Sequence, residues 1–198
     1  MEPELCYHIY NKSIDNVFLF HNNEDYEHFI KLMKKYIYPI SKIYSYCLIP
    51  NHFHWLVQIR DEVSLLRIME VKLPSLKRTS IETFVTTQFS HFFNAFAKWH
   101  NLKYKRKGRL FIQSFKRKHI NSDEYFTQII NYIHRNPVHH QIVNSRTQWK
   151  HSSYNFLASN SKTFLEREQV LEWFGGIEGF KNYHDIAFSE WIEQLEEI

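Results

Sequence analysis

The order of strand-like and helix-like patterns along the chain is the feature that most restricts its fold. Four short segments are predicted to be β-strands, and the first two of them are largely apolar runs that contain Tyr and Ile. The four segments cover residues 5–14, 43–49, 53–59 and 110–120. A segment that begins at residue 23 and a second one at 80–100 carry apolar residues at helical spacing instead. Residues 60–79 show no clear pattern and predict a less regular connector.

The resulting order is β-α-β-β-α-β, which predicts an α+β fold with a ferredoxin-like antiparallel sheet. Both helices of such a sheet pack on one face, so the other face is free to hold a site. A hydrophobic content of 43% with 17% aromatic residues indicates a well-packed core in a chain of 198 residues.

A further helix is predicted after the sheet, from the N-cap residue Ser122 to Pro137, which cannot continue it. Beyond it, residues 161–198 predict a helical extension that is acidic and rich in aromatic residues, following a main domain at 1–160. From residue 164 onward we count nine acidic side chains and two basic ones. We therefore expect electrostatic attraction between this extension and the basic part of the chain, with the extension covering the basic face.

Two histidines interrupt the apolar run of the third strand. Side chains alternate along a strand, so His52 and His54 project to one side while Phe53 and Trp55 project to the other. Two neighbouring imidazoles can chelate a cation. The pattern also fits a hydrogen-bonded or solvated pair without a metal, and the residues alone leave both interpretations open.

The helix predicted at 122–137 carries three polar side chains along one edge. Tyr125, Tyr132 and Asn136 fall within about 40° of one another at 100° per residue. In a purely structural interpretation Tyr132 packs its ring and Asn136 caps the helix end.

A strongly basic segment lies between residues 99 and 122, where no acidic side chain occurs. Its eight cations are Lys103, Lys105, Arg106, Lys107, Arg109, Lys116, Arg117 and Lys118. With aromatic residues between them, these cations are typical of a surface that binds phosphate backbones and unpaired bases. A solvated, charged hairpin is the alternative.

The composition also bears on the compartment of the protein. Cys6 and Cys47 form neither a metal-type spacing nor a disulfide framework, which fits a reducing cytoplasm. The chain shows no signal-like segment and no apolar run long enough to span a bilayer, so we expect a cytoplasmic location and no membrane partner.

The motifs together resemble the REP-associated tyrosine transposases, a branch of the single-tyrosine HUH transposases and relatives of the IS-two-hundred-like enzymes. The resemblance covers most of residues 7–157, and its short motifs occur in the family's order. They are Pro50–His54, Phe93-Asn94, Gly108–Gln113, Tyr132–Pro137 and Trp149–Tyr154.

The resemblance implies a metal-dependent enzyme that cleaves and rejoins single-stranded DNA near hairpins through a covalent phosphotyrosine. Tyr132 would be the nucleophile, and His52, His54 and Asn136 would hold Mg²⁺ or Mn²⁺. Tyr125 is the second choice as nucleophile. Members of the family act as homodimers or monomers, and the sequence leaves the choice open.

Two other functions remain as alternatives. The chain could be an inactive or domesticated relative that only binds hairpin nucleic acid. A metal-dependent hydrolase is disfavoured because no Asp or Glu accompanies His52 and His54 as a ligand or general base. His119 and His134 are expected to be structural or to face phosphates.

Overall fold

The computed structural model describes residues 1–72, 79–112 and 114–185. Part of the predicted connector, Gln113 of the resemblance motif and the end of the predicted extension lie outside the described residues. The strands are β1 (Cys6–Lys12), β2 (Ser41–Ile49), β3 (His52–Ile59) and β4 (Lys116–Ile120). The helices are α1 (Asn23–Tyr36), α2 (Glu62–Lys72), α3 (Ile81–Lys103), α4 (Asp123–His139), α5 (Tyr154–Leu157), α6 (Arg167–Trp173) and α7 (Ile177–Asp185). Among the described residues, no helix combines the length and apolar character that crossing a membrane requires.

The four strands form one antiparallel sheet in the order β2-β3-β1-β4. Helix α1 connects β1 to β2, and α3 precedes β4, which gives the ferredoxin-like arrangement. The predicted fold class is therefore confirmed.

An aromatic cluster joins α1 and α3 to one face of the sheet. The ring of Phe29 in α1 lies 5.2 Å from Phe53 and 5.4 Å from Trp55, both in β3, and 4.9 Å from Phe92 in α3. All four side chains are fully buried. This face is consequently closed by the core, as the periodicities predict.

Helix α1 begins with a capping box that also ties it to the end of α3. The carboxylate of Asp25 accepts hydrogen bonds from the backbone N–H groups of His21 and Asn22, and the Asn22 side chain accepts one from the Asp25 N–H. The same carboxylate accepts from Lys103 Nζ at 2.8 Å and from the Tyr104 hydroxyl at 2.7 Å. A buried charge is thus stabilised by several donors.

Residues 62–72 form helix α2, which contradicts the predicted irregular connector. Only Leu65 of this helix is buried, whereas Val63 and Val71 are 58% and 83% exposed. The helix therefore has no continuous apolar stripe, which is the signal that periodicity analysis requires.

The last strand is shorter than the predicted 110–120. Tyr10 of β1 pairs with Lys116, but Ser13 pairs with Phe111 in an isolated bridge. The ladder is therefore interrupted before β4 begins.

Helix α4 continues past Pro137 to His139, so the helix end predicted at this proline is wrong. Pro137 lies in the last turn, where it removes only one backbone donor. The turn closes because His140 donates its N–H to Asn136 and Ile142 donates to Pro137.

The described part of the acidic extension packs at the β2 edge of the sheet, and β4 forms the other edge. The expectation that the extension covers the basic segment is therefore not met by its described residues. Trp173 lies 4.7 Å from Phe126 of α4 and 4.7 Å from Tyr44 of β2. Val170 and Phe180 are fully buried in the core. Burial of apolar surface holds these helices in place, and this outweighs the attraction between exposed charges.

A chain of neutral groups connects α7 to α4. His184 donates Nδ1–H to the Phe180 carbonyl at 2.8 Å and accepts at Nε2 from His134 Nδ1–H at 2.9 Å. His134 Nε2 lies 2.6 Å from the Ser153 hydroxyl oxygen. Both imidazoles are buried, and burial lowers the pKa of His184 to about 3. His134 is therefore structural, as expected.

Replacing Asp25 with Asn should lower the free energy of unfolding by about 2–3 kcal/mol, because the charged acceptor of Lys103 and Tyr104 is lost. Urea unfolding measures this change. Glu24→Gln is the control, since the Glu24 carboxylate is 71% exposed and should contribute little. Equal losses of unfolding free energy in the two variants would contradict the stabilising role of the Asp25 carboxylate.

Stability should fall as the pH drops below about 6.5, the ordinary pKa of His184, toward its folded value of about 3. In this window the unfolded chain binds a proton that the buried imidazole does not. His184→Phe should reduce the slope of the unfolding free energy against pH by about 1.4 kcal/mol per pH unit. Denaturant unfolding between pH 6 and pH 5 measures it, and an unchanged slope would refute the role of His184.

Candidate active site

The register between β1 and β3 places a group of polar rings on the sheet face opposite the aromatic core. Tyr10 pairs with His54 and Ile9 with Trp55, so neighbouring pairs face opposite sides. His52 and His54 share their face with His8 and Tyr10, as the alternation predicts for the two histidines of β3.

Helix α4 lies across this face and brings Tyr132 and Asn136 to the histidines. The Tyr132 ring centroid is 5.3 Å from that of His54 and 6.0 Å from that of His8. Asn136 lies one helical turn later, with Oδ1 3.1 Å from His52 Nε2. The structure thus brings the four predicted site residues together, although contact alone does not test their roles.

His52 faces two amide oxygens. Its Nδ1 lies 2.8 Å from Asn51 Oδ1, and its Nε2 lies 3.1 Å from Asn136 Oδ1. The orientation of the Asn136 amide is set by its Nδ2, which donates to the Tyr132 carbonyl at 3.4 Å. A neutral imidazole has a single N–H, so one of the two contacts joins two acceptors. A cation coordinated by His52 Nε2 and Asn136 Oδ1 would let Nδ1–H donate to Asn51, and both contacts of His52 would then be favourable.

His54 is oriented by a histidine that the sequence analysis did not single out. His8 Nε2 lies 2.9 Å from His54 Nδ1, and both side chains are buried. When His54 Nδ1 donates in this hydrogen bond, its Nε2 retains a lone pair and can act as a ligand. Such a partner on the second ring nitrogen is typical of metal-binding histidines.

The imidazoles of His8, His52 and His54 are neutral at physiological pH. Burial lowers the pKa of His52 to about 3 and that of His8 to about 3, with smaller contributions from His140 and Lys118 respectively. Burial, followed by the neighbouring His8, lowers the pKa of His54 well below its usual range. Neutral imidazoles can coordinate a metal, whereas protonated ones cannot.

A small cavity of about 60 Å³ lies beside these groups. It is lined by Tyr10, Asn11, Lys12, His52, Phe53, His54, Tyr132, His139 and His140. The volume suits a cation with bound water but not a nucleotide. Among the described residues, no group of three or more His, Cys, Asp or Glu side chains is placed to hold a metal ion.

The eight predicted DNA-binding cations do not form one surface. Lys116 and Lys118 of β4 lie on the site face, where they pair with Tyr10 and His8 of β1. Arg117 lies on the other face of the sheet. Lys116 Nζ is 5.8 Å from the Tyr10 ring, and Lys118 Nζ is 5.2 Å from the ring of Tyr125.

The other five predicted cations lie at or after the end of α3. The charge of Lys103 is neutralised by Asp25 and Glu24. Arg106 donates to Asn101 at 3.1 Å, and Arg109 donates to the Ile112 carbonyl. Lys105 and Lys107 are exposed. The structure therefore separates a structural lysine from the cations that remain accessible.

No protein-family profile and no curated protein matches this chain. Among solved structures it is similar to a REP-associated tyrosine transposase bound to a REP hairpin, with a TM-score of 0.53 and 14% sequence identity. The match covers 82% of this chain and 85% of the other. That similarity supports the fold.

Sequence reasoning missed two histidines of the site, His8 and His140. His8 is a polar residue in an apolar strand, the same signal that drew attention to His52. His140, whose ring is 4.7 Å from that of His52, follows a proline where the helix was expected to have ended. His119 is exposed on the opposite sheet face, away from the site.

Proposed function

We propose that this chain cleaves and rejoins single-stranded DNA beside imperfect hairpins, with Tyr132 as the nucleophile. The convergence of Tyr132, His52, His54 and Asn136 on one face of the sheet carries this proposal. The structural neighbour was solved with a REP hairpin, which supports DNA of this kind as the partner. The proposal agrees with the function implied by the sequence motifs.

The donor set fits a divalent cation, Mg²⁺ or Mn²⁺, held by His52, His54 and Asn136. Two features support this fit: His52 faces two amide oxygens but has a single N–H when neutral, and His8 lies behind His54. A cation bound there would polarise the phosphodiester and thereby assist a tyrosine that is a weak nucleophile at its ordinary pKa.

Tyr132 would attack the phosphorus with its hydroxyl oxygen. A bond from Oη to phosphorus forms, the bond from phosphorus to the 3′ oxygen breaks, and the phenolic proton is lost while the 3′ oxygen gains one. The product is a phosphotyrosine and a free 3′ hydroxyl. Attack by another 3′ hydroxyl reverses the step and rejoins DNA without a nucleotide cofactor.

The remaining parts of the site would position the strand. The cavity is too small for a nucleotide, so the backbone must lie across its opening. Lys116 and Lys118 lie on the same sheet face and can contact the phosphates there. His8 would act as a positioning residue, since it contacts His54 and fixes its tautomer.

Metal binding can be tested without measuring activity. Mn²⁺ should raise the melting temperature of the native protein, because a ligand that binds only the folded state stabilises it. His52→Ala should lose this response and also lose Mn²⁺-dependent cleavage. In chelator the variant should remain folded, since the His52 side chain is only partly buried and lies outside the aromatic core.

His119→Ala is the matched control, because His119 is exposed on the other face of the sheet. It should respond to Mn²⁺ as the native protein does. An undiminished response of His52→Ala would refute the proposed ligand set.

Tyr132→Phe should form no covalent adduct with a labelled single-stranded oligonucleotide that carries a hairpin, whereas the native protein should. The substitution removes the attacking oxygen and keeps the ring that packs against His54, so folding and DNA binding should persist. Denaturing gel electrophoresis detects the adduct.

Tyr125→Phe is the control and should still form the adduct. If Tyr132→Phe forms the adduct and Tyr125→Phe does not, Tyr125 is the nucleophile instead of Tyr132. If the native protein binds hairpin DNA but never forms an adduct, the inactive binding protein is the correct alternative.

A further inference from the structure

A second concave surface lies on the sheet face opposite Tyr132. It is an open groove of about 860 Å³ between α1, the β2 edge and residues 150–164. Tyr46 and Leu48 of β2 contribute to it, and their pairing with Trp55 and Phe53 places them on the face away from the histidines. The volume lies within the range of pockets that bind organic ligands. We call this surface the α1 groove.

The α1 groove carries a strong excess of positive charge. Lys31 and Lys34 project from α1, and Lys150 and Lys162 come from the opposite wall, whereas Glu27 is the one acidic lining residue among those described. Within the described part of the chain, none of these four ammonium groups has a carboxylate within 4 Å. Lys103, in contrast, is held by two carboxylates. The groove lysines are thus available to an anionic ligand.

Aromatic rings line the same groove. The His151 ring stacks on Tyr26 with centroids 3.5 Å apart and an angle of 5° between the planes. Phe156 and Phe164 are partly buried lining residues, and Lys34 Nζ lies 4.7 Å from the centre of the Phe164 ring. Aromatic faces beside lysines provide both interactions that single-stranded nucleic acids use, base stacking and phosphate pairing.

The arrangement of the charges favours a strand over a free nucleotide. Lys31 and Lys34 are almost one helical turn apart on one wall, and Lys150 and Lys162 lie on the other. Consecutive phosphates of a strand can reach cations on both walls, whereas a mononucleotide presents its phosphate at one point.

We infer that the α1 groove binds a second stretch of single-stranded DNA, separate from the strand at Tyr132. The phosphates would contact Lys34 and Lys162, and a base would stack beside Phe164. This inference goes beyond the proposed function and does not depend on the chemistry of Tyr132.

The test uses the full chain with the double substitution Lys34→Glu and Lys162→Glu. Binding of a fluorescent oligothymidylate of about 20 nucleotides is measured by anisotropy at several salt concentrations. Two lost phosphate contacts should make the slope of log K against log salt less negative by about 1.4. The control is Arg67→Glu with Lys98→Glu, an equal charge change at two exposed residues outside the groove, which should keep the native slope.

Equal slopes for the groove variant and the control would overturn the inference. Photo-crosslinking with 5-iodouracil-substituted DNA should label Phe164 or Phe156 in the native protein, and labelling confined to other segments would also overturn it. Thymidine monophosphate that competes as strongly as the oligonucleotide would identify a nucleotide pocket instead. The groove variant should still form the Tyr132 adduct on a short hairpin, so this inference and the proposed function fail in different experiments.

Discussion

The antiparallel register between β1 and β3 is the constraint on which the rest of the structure depends. Because of this register, Phe53 and Trp55 lie on the sheet face covered by α1 and α3, and His52 and His54 lie on the other face. A shift of one residue in β3 would bury the histidines in the aromatic core and expose Trp55. The large apolar surface on one face therefore fixes the position of the polar rings on the other, and the core determines the site.

Helix α4 adds the second requirement, since it must place two side chains against a sheet already fixed by its core. Its inner face carries Tyr132 and Asn136 one turn apart, and the spacing of the helix sets their separation. Its outer side contacts Trp173 and His184 of the extension. The helix is thus held between the sheet and the extension.

The sequence predicts what depends on local periodicity. Alternation in β3 placed His52 with His54, and helical spacing placed Tyr132 with Asn136, because both patterns act over a few residues. The α2 helix was missed since it buries little beyond Leu65. The interaction of His8 with His54 could not be predicted, because it requires the register of two strands that are far apart in sequence.

The sequence could not predict which cations are paired and which are accessible, because these contacts join residues far apart in the chain. The basic segment looks uniform in sequence, yet Lys103 pairs with an aspartate that lies 78 residues earlier. Conversely, the lysines of the α1 groove are scattered along the chain and meet only after folding. Composition thus indicates how much charge the chain carries, whereas the tertiary structure decides which of it reaches solvent.

The position of α4 between the sheet and the extension has a consequence for how the protein can vary. Trp173 and Phe180 are not among the residues that line the cavity, yet they pack against Phe126 and His134 of the helix that carries Tyr132. A shift of that helix by a fraction of an ångström would alter the approach of the tyrosine to any bound strand. Under the proposed function, selection would therefore extend to the packing of the extension, and divergence of these remote residues would change the position of Tyr132 without any substitution at the site itself.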